Sequence, residues 1–483
     1  MYTLFKFKLG GFYMDMFHAI VSQGVQFAWG PVTIILLVGI GIYLSIATRF
    51  IQFRKMKTSL KLLTSSSDDG EGDLTPFQAL MTSMAATIGT GNIAGVASAI
   101  VMGGPGAVFW MWVSGLFGGA TKYAEGLLAV KYRITNEDGE KSGGPMYYIS
   151  RGIKEQYGIN AGWLGWLFAL FGLIASLGTG NMTQANAVSD SLNVVLGINP
   201  YISGGVIAAL TALVIIGGVK KIGKITEKIV PIMSVSYIIG AIIAVLSNAS
   251  MVPAVFKMIF TNALTAKALA GGTLGTVIRI GISRGMFSNE AGLGSAPIAH
   301  ASSKNDDPVA QGIIASLDSF FTTIIICTMT AIVILTSGLV TINGNGVMAI
   351  EGNLNGATLT TVAFDRLIPG IGGYIVTFGL IFFAFSTIIG WYYYGAKCIE
   401  YIAGLKAVNI YKWVWVGLSF VGAVVPLEIV WNLSDMFNGL MAIPNIIGLI
   451  ALSPVVFNMT KEYDKKVKIE KGKVREQLTD PIG

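Results

Sequence analysis

Eleven apolar stretches, each close to the length of a bilayer crossing, govern what this chain can fold into. They run over roughly residues 30–50, 76–103, 107–131, 163–196, 200–219, 227–248, 272–299, 309–337, 369–396, 411–427 and 436–459. A helix of about 20 apolar residues crosses the hydrocarbon core. There, every backbone N–H and C=O must find its partner within the protein, so runs of this length select helices. Only 12% of the 483 residues are charged, whereas a soluble domain carries about 25%. The chain is therefore expected to be an all-α integral membrane protein with about 11 transmembrane helices and no separate soluble domain.

The net charge of +7 does not mark a nucleic-acid binder, because 25 of the 33 basic residues sit in alternate loops and the tail. That alternation is the signature of membrane orientation. It predicts a multi-pass protein of the cell membrane, with the N-terminus outside and the basic segment 460–483 in the cytoplasm. Residues 1–29 are interrupted by Lys6, Lys8, Asp15 and His18 and lack a small-residue cleavage site. They read as an extracytoplasmic amphipathic segment, not as a cleaved signal. With two histidines, no nucleophile–base pair, no phosphate loop and no metal-ligand spacing, the sequence offers nothing for an enzyme to work with. Cys327 and Cys398 fall in apolar spans, where a thiol packs as a small hydrophobe.

The layout divides into an extra helix with its loop (30–61), five spans (76–248), a connection (249–271) and five more spans (272–459). Five is odd, so the second set starts from the opposite side of the membrane, as an inverted repeat requires. The first span of each set is the interrupted one. In the first it reads Ala86-Thr87-Ile88-Gly89-Thr90-Gly91-Asn92-Ile93-Ala94-Gly95, and in the second Arg279 to Gly294 contains Ser283, Arg284, Asn289 and Glu290 among glycines. Paired interruptions at corresponding positions point to a transporter's binding site.

Unwound turns expose N–H groups that hold a carboxylate and C=O groups that coordinate a cation. Thr87, Thr90 and Asn92 add hydroxyl and amide oxygens. Close helix packing explains Gly89 and Gly91 equally well, but not Asn92. Arg284 and Glu290 are expensive at membrane depth unless paired or facing water; the alternative puts Ser288 to Glu290 at the cytoplasmic surface as a cap. Asn181 and Gln184 share a helix face and either reach the site or simply bond neighbouring helices. Ser386 and Thr387 offer a hydroxyl pair. Trp391, one turn on, either walls an apolar pocket or belongs with Tyr392 to Tyr394 in an interfacial belt. Glu125 either accepts hydrogen bonds from a broken helix or is solvated. Without a nucleotide site, active transport must draw on an ion gradient.

Three motifs go further. Gly89 to Gly95, Ser142-Gly143-Gly144-Pro145-Met146-Tyr147-Tyr148 and Gly285-Met286-Phe287-Ser288-Asn289-Glu290-Ala291-Gly292-Leu293-Gly294-Ser295-Ala296-Pro297 resemble the alanine/glycine:cation symporter family. The resemblance covers about residues 30–460. It implies the leucine-transporter fold with one extra helix, and import of a small neutral amino acid, alanine or glycine, coupled to sodium by alternating access. A proton-coupled or exchange-type transporter of the same fold is the alternative. Sodium is then a co-transported ion, not a prosthetic group. The implied partners are the amino acid, sodium and the lipid bilayer, with a single copy sufficient for function.

Carried over by motif, Thr87 and Gly91 contact the substrate carboxylate, and the Ile88 carbonyl and Asn92 ligate sodium. Ser386 and Thr387 complete a sodium site, and Trp391 touches the substrate side chain. Gly89, Thr90 and Thr387 join the substrate pocket, with Ser283 and Phe287 from the second interruption; Asn181 and Gln184 are expected there from their shared helix face alone. Glu125 ties the third span to that interruption, where Asn289 and Glu290 act in structure or gating.

Overall fold

A computed structural model describes residues 17–65, 70–264, 273–342, 348–425 and 428–479. Residues 1–16 of the expected amphipathic segment lie outside the described residues. Residues 17–28 are helical and lead into α1 (Pro31–Ala47), together forming one apolar helix, Phe17–Ala47. Two units follow. In the first, α2 (Pro76–Thr87) and α3 (Ala94–Gly103) make one interrupted crossing. Then come α4 (Gly106–Lys131), α5 (Gly162–Leu196), α6 (Pro200–Ile215) and α7 (Gly218–Leu246). The second unit keeps this order. Its interrupted crossing is α8 (Thr273–Asn289) with α9 (Ala296–His300), followed by α10 (Pro308–Thr336), α11 (Gly372–Ala403), α12 (Leu405–Val424) and α13 (Glu428–Leu440) with α14 (Ala442–Thr479). Among the described residues, seven helices are long and apolar enough to cross a membrane unbroken. Up to residue 479 the basic tail is helical, as the continuation of α14.

Local chemistry sets where the interrupted crossing begins. Thr75 accepts from Gln78 N at 3.1 Å, and the Gln78 amide oxygen accepts from Thr75 N at 3.1 Å. This reciprocal cap and Pro76 at the first helical position start α2. Asp307 and Pro308 start α10 in the same manner, the carboxylate accepting from Val309 N and Ala310 N. A two-stranded hairpin, β1 (Ile134–Thr135) with β2 (Lys141–Ser142), joins α4 to α5 on the tail side.

Deep in the interior, α2, α4 and α10 meet at an ion pair. Lys122 Nζ on α4 lies 2.9 Å from Asp318 Oδ2 on α10, and both side chains are 0% exposed. Asp318 also accepts from Ser83 Oγ at 2.6 Å and Thr87 Oγ1 at 2.9 Å, both on α2. Removing one member of such a pair leaves an uncompensated buried charge and costs about 3–5 kcal/mol. Lys122→Met is therefore expected to lower the thermal unfolding midpoint of the solubilised protein by many degrees. Lys122→Met with Asp318→Asn is expected to recover most of the loss, and equal losses in both would rule the pair out as its source.

Candidate functional site

Gly89, Thr90 and Gly91 are poor helix formers in sequence, and the chain leaves α-geometry at Ile88 (φ −88°, ψ 92°). Gly89 N, which would have capped the Ala85 carbonyl, instead donates to Asn92 Oδ1 at 2.9 Å. Thr90 N donates to Gln184 Oε1 on α5 at 3.4 Å, and Asn92 N donates to Gly89 O at 3.2 Å, not to Ile88 O. The Ala85 and Ile88 carbonyls thus lose their helical donors, and both turn to α11. Thr387 Oγ1 stands 3.2 Å from Ala85 O, 3.2 Å from Ile88 O and 2.9 Å from Phe383 O. Ser386 Oγ stands 3.3 Å from Ala85 O and 2.9 Å from Phe383 O.

Two freed carbonyls, and the Phe383 carbonyl that α11 already pairs within its own helix, therefore face two hydroxyls that carry one proton each. The five oxygens, all in buried residues, form a cluster rich in acceptors. Hard oxygens in this arrangement suit a small hard cation. Ile88, Ser386 and Thr387 are brought together here, with Gly89 pressed against them. A methyl at Gly89 would lie 2.6 Å from Thr387 Oγ1 and 3.3 Å from Gln184 Oε1.

The two interruptions touch. Asn92 Nδ2 donates to Ser288 Oγ at 2.9 Å and to Thr322 O at 3.2 Å, so the Asn92 amide pins the first interruption to the second and to α10. Its oxygen is held by Gly89 N, not placed in the five-oxygen cluster. The Thr87 hydroxyl likewise turns to Asp318. Phe287 packs on Gly91, its Cδ1 lying 3.1 Å from where a Cβ would stand. Gln184 Nε2 donates to Thr179 O at 3.0 Å, closing the π-helical turn Gly178–Met182 in α5.

Asn289 caps the end of α8, accepting from Ala291 N at 2.9 Å and donating to Thr323 Oγ1 at 3.1 Å. Glu290 follows with φ 54°, a left-handed backbone that costs a non-glycine residue about 1–2 kcal/mol. It is 4% exposed, which removes the surface-cap reading. One Glu290 oxygen accepts from Trp391 Nε1 at 3.1 Å and the other from Ser295 Oγ. Trp391 is fully buried beside Gly180 and edge-on to Tyr394, so it does not belong to an interfacial belt. Glu125 is buried too. Asn445 Nδ2 bridges it to the Gly292 carbonyl, at 2.7 Å and 2.9 Å.

Two residues stand apart. Asn181 donates to Trp415 O at 2.9 Å and accepts from Ser419 Oγ at 2.7 Å, so both ends of its amide bond α5 to α12. This corrects its expected place in the pocket: helix rotation turns it outward. Ser283 does not reach the five-oxygen cluster. It lines a cavity of about 230 Å³ on the far side, together with Phe287, Arg279, Arg284 and Asp435. Arg284 thereby gains the cavity that its depth demands. On the tail side, Asp73 N and Leu74 N both donate to Ser302 O, and Arg133 donates to Ala301 O and Asp306. Burial pushes the Asp73 carboxyl above its ordinary range, opposed by the Lys141 N–H. Burial lowers Arg133, opposed by Asp306.

Sequence reasoning missed Ala85 and Phe383, which contribute only carbonyls, and Asp318. A lone acid in an apolar span was signal enough for Asp318.

The chain matches the sodium:alanine symporter family over residues 14–477. It is 47% identical over 456 residues to the sodium/alanine symporter AgcS of Methanococcus maripaludis, covering 94% of this chain and 99% of that protein. It is 36% identical over 452 residues to a putative sodium/proton-dependent alanine carrier, YrbD, of Bacillus subtilis, covering 91% of each. Among solved structures, MhsT in complex with L-phenylalanine shares the fold, with a TM-score of 0.52 at 16% identity over 76% of this chain and 87% of that one. The architecture is thus two inverted five-helix repeats of the leucine-transporter type, with α1 added.

Gly89→Ala places a methyl 2.6 Å from Thr387 Oγ1, whereas a methyl at Gly95 meets nothing within 4 Å. Gly89→Ala is expected to weaken sodium-stimulated amino acid binding at least tenfold and Gly95→Ala to leave it within twofold. Scintillation proximity with labelled alanine reads both, and equal affinities in the two variants would count against the site.

Proposed function

The chain belongs to the sodium:alanine symporter family, and from that premise we propose that it imports alanine, with glycine as a second substrate, using the sodium gradient. Family and fold are those of secondary transporters, not of enzymes, and the protein is a multi-pass membrane protein. The observation that carries the coupling is the five-oxygen cluster, because it joins the first interruption to α11 through groups that favour a cation. A cation bound there would hold the Ala85 and Ile88 carbonyls in place and so fix the turn from Gly89 to Gly91. That turn, with Gln184 and Phe287, forms one wall of the amino acid site.

Trp391 bounds the same region one turn beyond Thr387 on α11. Its indole is held by Glu290 and Tyr394, and a fixed bulky wall selects a small side chain. Hydrogen bonds from Asp73, Leu74 and Arg133 tie the loops together on the tail side, and the cavity that reaches Phe287 lies on the far side, so the arrangement is read as accessible from outside or occluded. The tail is assigned to the cytoplasm by its charge and the N-terminus to the outside. A single copy contains all the groups invoked.

Coupling requires that sodium and substrate favour the same closed state, each raising the other's affinity by the same factor. In proteoliposomes, labelled alanine is expected to accumulate with an inward sodium gradient and not with choline. The relative named as sodium/proton-dependent favours a second reading, in which a proton replaces sodium; accumulation driven by an inward proton gradient without sodium would establish it. Thr387→Val removes one cluster oxygen at nearly constant volume. A hydrogen bond to a charged group, taken as a proxy for the lost ion–oxygen contact, is worth about 1.5–3 kcal/mol, and about 1.4 kcal/mol is tenfold. The sodium concentration for half-maximal uptake should therefore rise tenfold or more, and an unchanged value would remove Thr387 from the ion site.

A further inference from the structure

Where α1 ends on the tail side, Arg49 and Phe50 both adopt left-handed backbone, with φ of 55° and 53°. This sharp turn throws Arg49 and Arg54 towards α14 and opens a cavity of about 450 Å³ between the two helices. The membrane end of the cavity is apolar, lined by Ala47 and Phe457. The other end is lined by Lys461, Lys465 and Lys468 of α14 together with the two arginines. The three lysines follow i, i+4, i+7 spacing and so share one helix face, where like charges repel one another.

One carboxylate lines this cavity, and it is already engaged. Asp464 pairs with Arg54 at 2.8 Å and with Lys55 at 3.0 Å. Arg49, Lys461, Lys465 and Lys468 are exposed and, among the described residues, make no side-chain ion pair. Beside the basic end, Tyr43, Ile46, Phe50 and Phe53 present exposed apolar surface, and Tyr43 packs edge-on against Phe457 at 5.5 Å. A concentrated positive site thus sits directly above an apolar strip running into the bilayer.

We propose that this cavity binds the headgroup of an anionic phospholipid, with its phosphate among Arg49, Lys461, Lys465 and Lys468 and its acyl chains along Tyr43, Ile46 and Phe457. A soluble anion would use the charges but has no use for the apolar strip. A zwitterionic lipid would place its own cation among four others. Basic pockets at the cytoplasmic ends of transmembrane helices are where anionic headgroups gain most. The lipid would bridge the turn after α1 to α14, beside the ion pair Arg54–Asp464. The proposal stands independently of which amino acid or ion the protein carries.

The test uses the full-length protein in neutral detergent with phosphatidylglycerol, phosphatidylcholine or inorganic phosphate, read by native mass spectrometry and thermal unfolding. Phosphatidylglycerol is expected to remain bound and to raise the midpoint by several degrees, while phosphatidylcholine and phosphate do neither. The Lys461→Gln, Lys465→Gln, Lys468→Gln variant changes only exposed side chains and is expected to retain at least fivefold less phosphatidylglycerol, with Lys461→Gln alone intermediate. Retention equal to that of the unaltered protein, equal retention of phosphatidylcholine, or the same stabilisation by phosphate would each overturn the proposal.

Discussion

A helix broken inside a bilayer leaves backbone groups that no water can satisfy, and each must find a partner in the protein. Between Thr87 and Ala94 this chain places its freed N–H groups on an asparagine oxygen of its own turn and on Gln184 of α5. Its freed carbonyls at Ala85 and Ile88 go to hydroxyls of α11. Gln184 ties the interruption to α5, and the hydroxyls tie it to α11. The relative positions of α2, α5 and α11 therefore follow from the need to pair one unwound turn. The freed carbonyls meet only side-chain hydroxyls, whose oxygens can themselves turn to a cation, and the proposed ion site rests on that arrangement.

The second interruption is handled by side chains. Asn289 caps the end of α8, Asn445 donates to the Gly292 carbonyl while anchored on Glu125, and Glu290 accepts the left-handed conformation while holding Trp391. Strain of this kind persists where the surroundings over-determine it, and it concentrates at functional sites. Asn92 then joins the two interruptions through Ser288. An ion bound between α2 and α11 acts on a structure in which the first interruption already contacts the second. This supplies a physical route by which ion occupancy can bias the substrate site, provided that the two favour the same state.

Much of this was legible in the residues, for reasons that differ from element to element. Apolar length marked the crossings, and glycine next to asparagine in an apolar run marked the first interruption, because both signals act along the chain. Ser386 and Thr387 stood out as polar atoms in an apolar span. Ala85 and Phe383 did not, since a carbonyl ligand leaves no trace in residue identity. Asn181 and Gln184 looked alike on one helix face, yet the π-helical turn and the rotation of α5 send Asn181 to α12 and leave Gln184 beside Thr90. Asn92 was read as an ion ligand from its chemistry, but its oxygen serves Gly89 N, a local bond that spacing alone does not reveal. Lys122 and Asp318 are 196 positions apart and could be matched only once α4 and α10 were packed together.

In the proposed symport, sodium joins the unwound turn of the first interruption to α11. Hydrogen–deuterium exchange of the full-length protein in lipid nanodiscs, compared in sodium and in choline without amino acid, tests it directly. Sodium is expected to slow exchange in peptides covering residues 85–93 and 383–391 together, while segments such as α6 are unaffected. Identical exchange of both peptides in sodium and choline would contradict it.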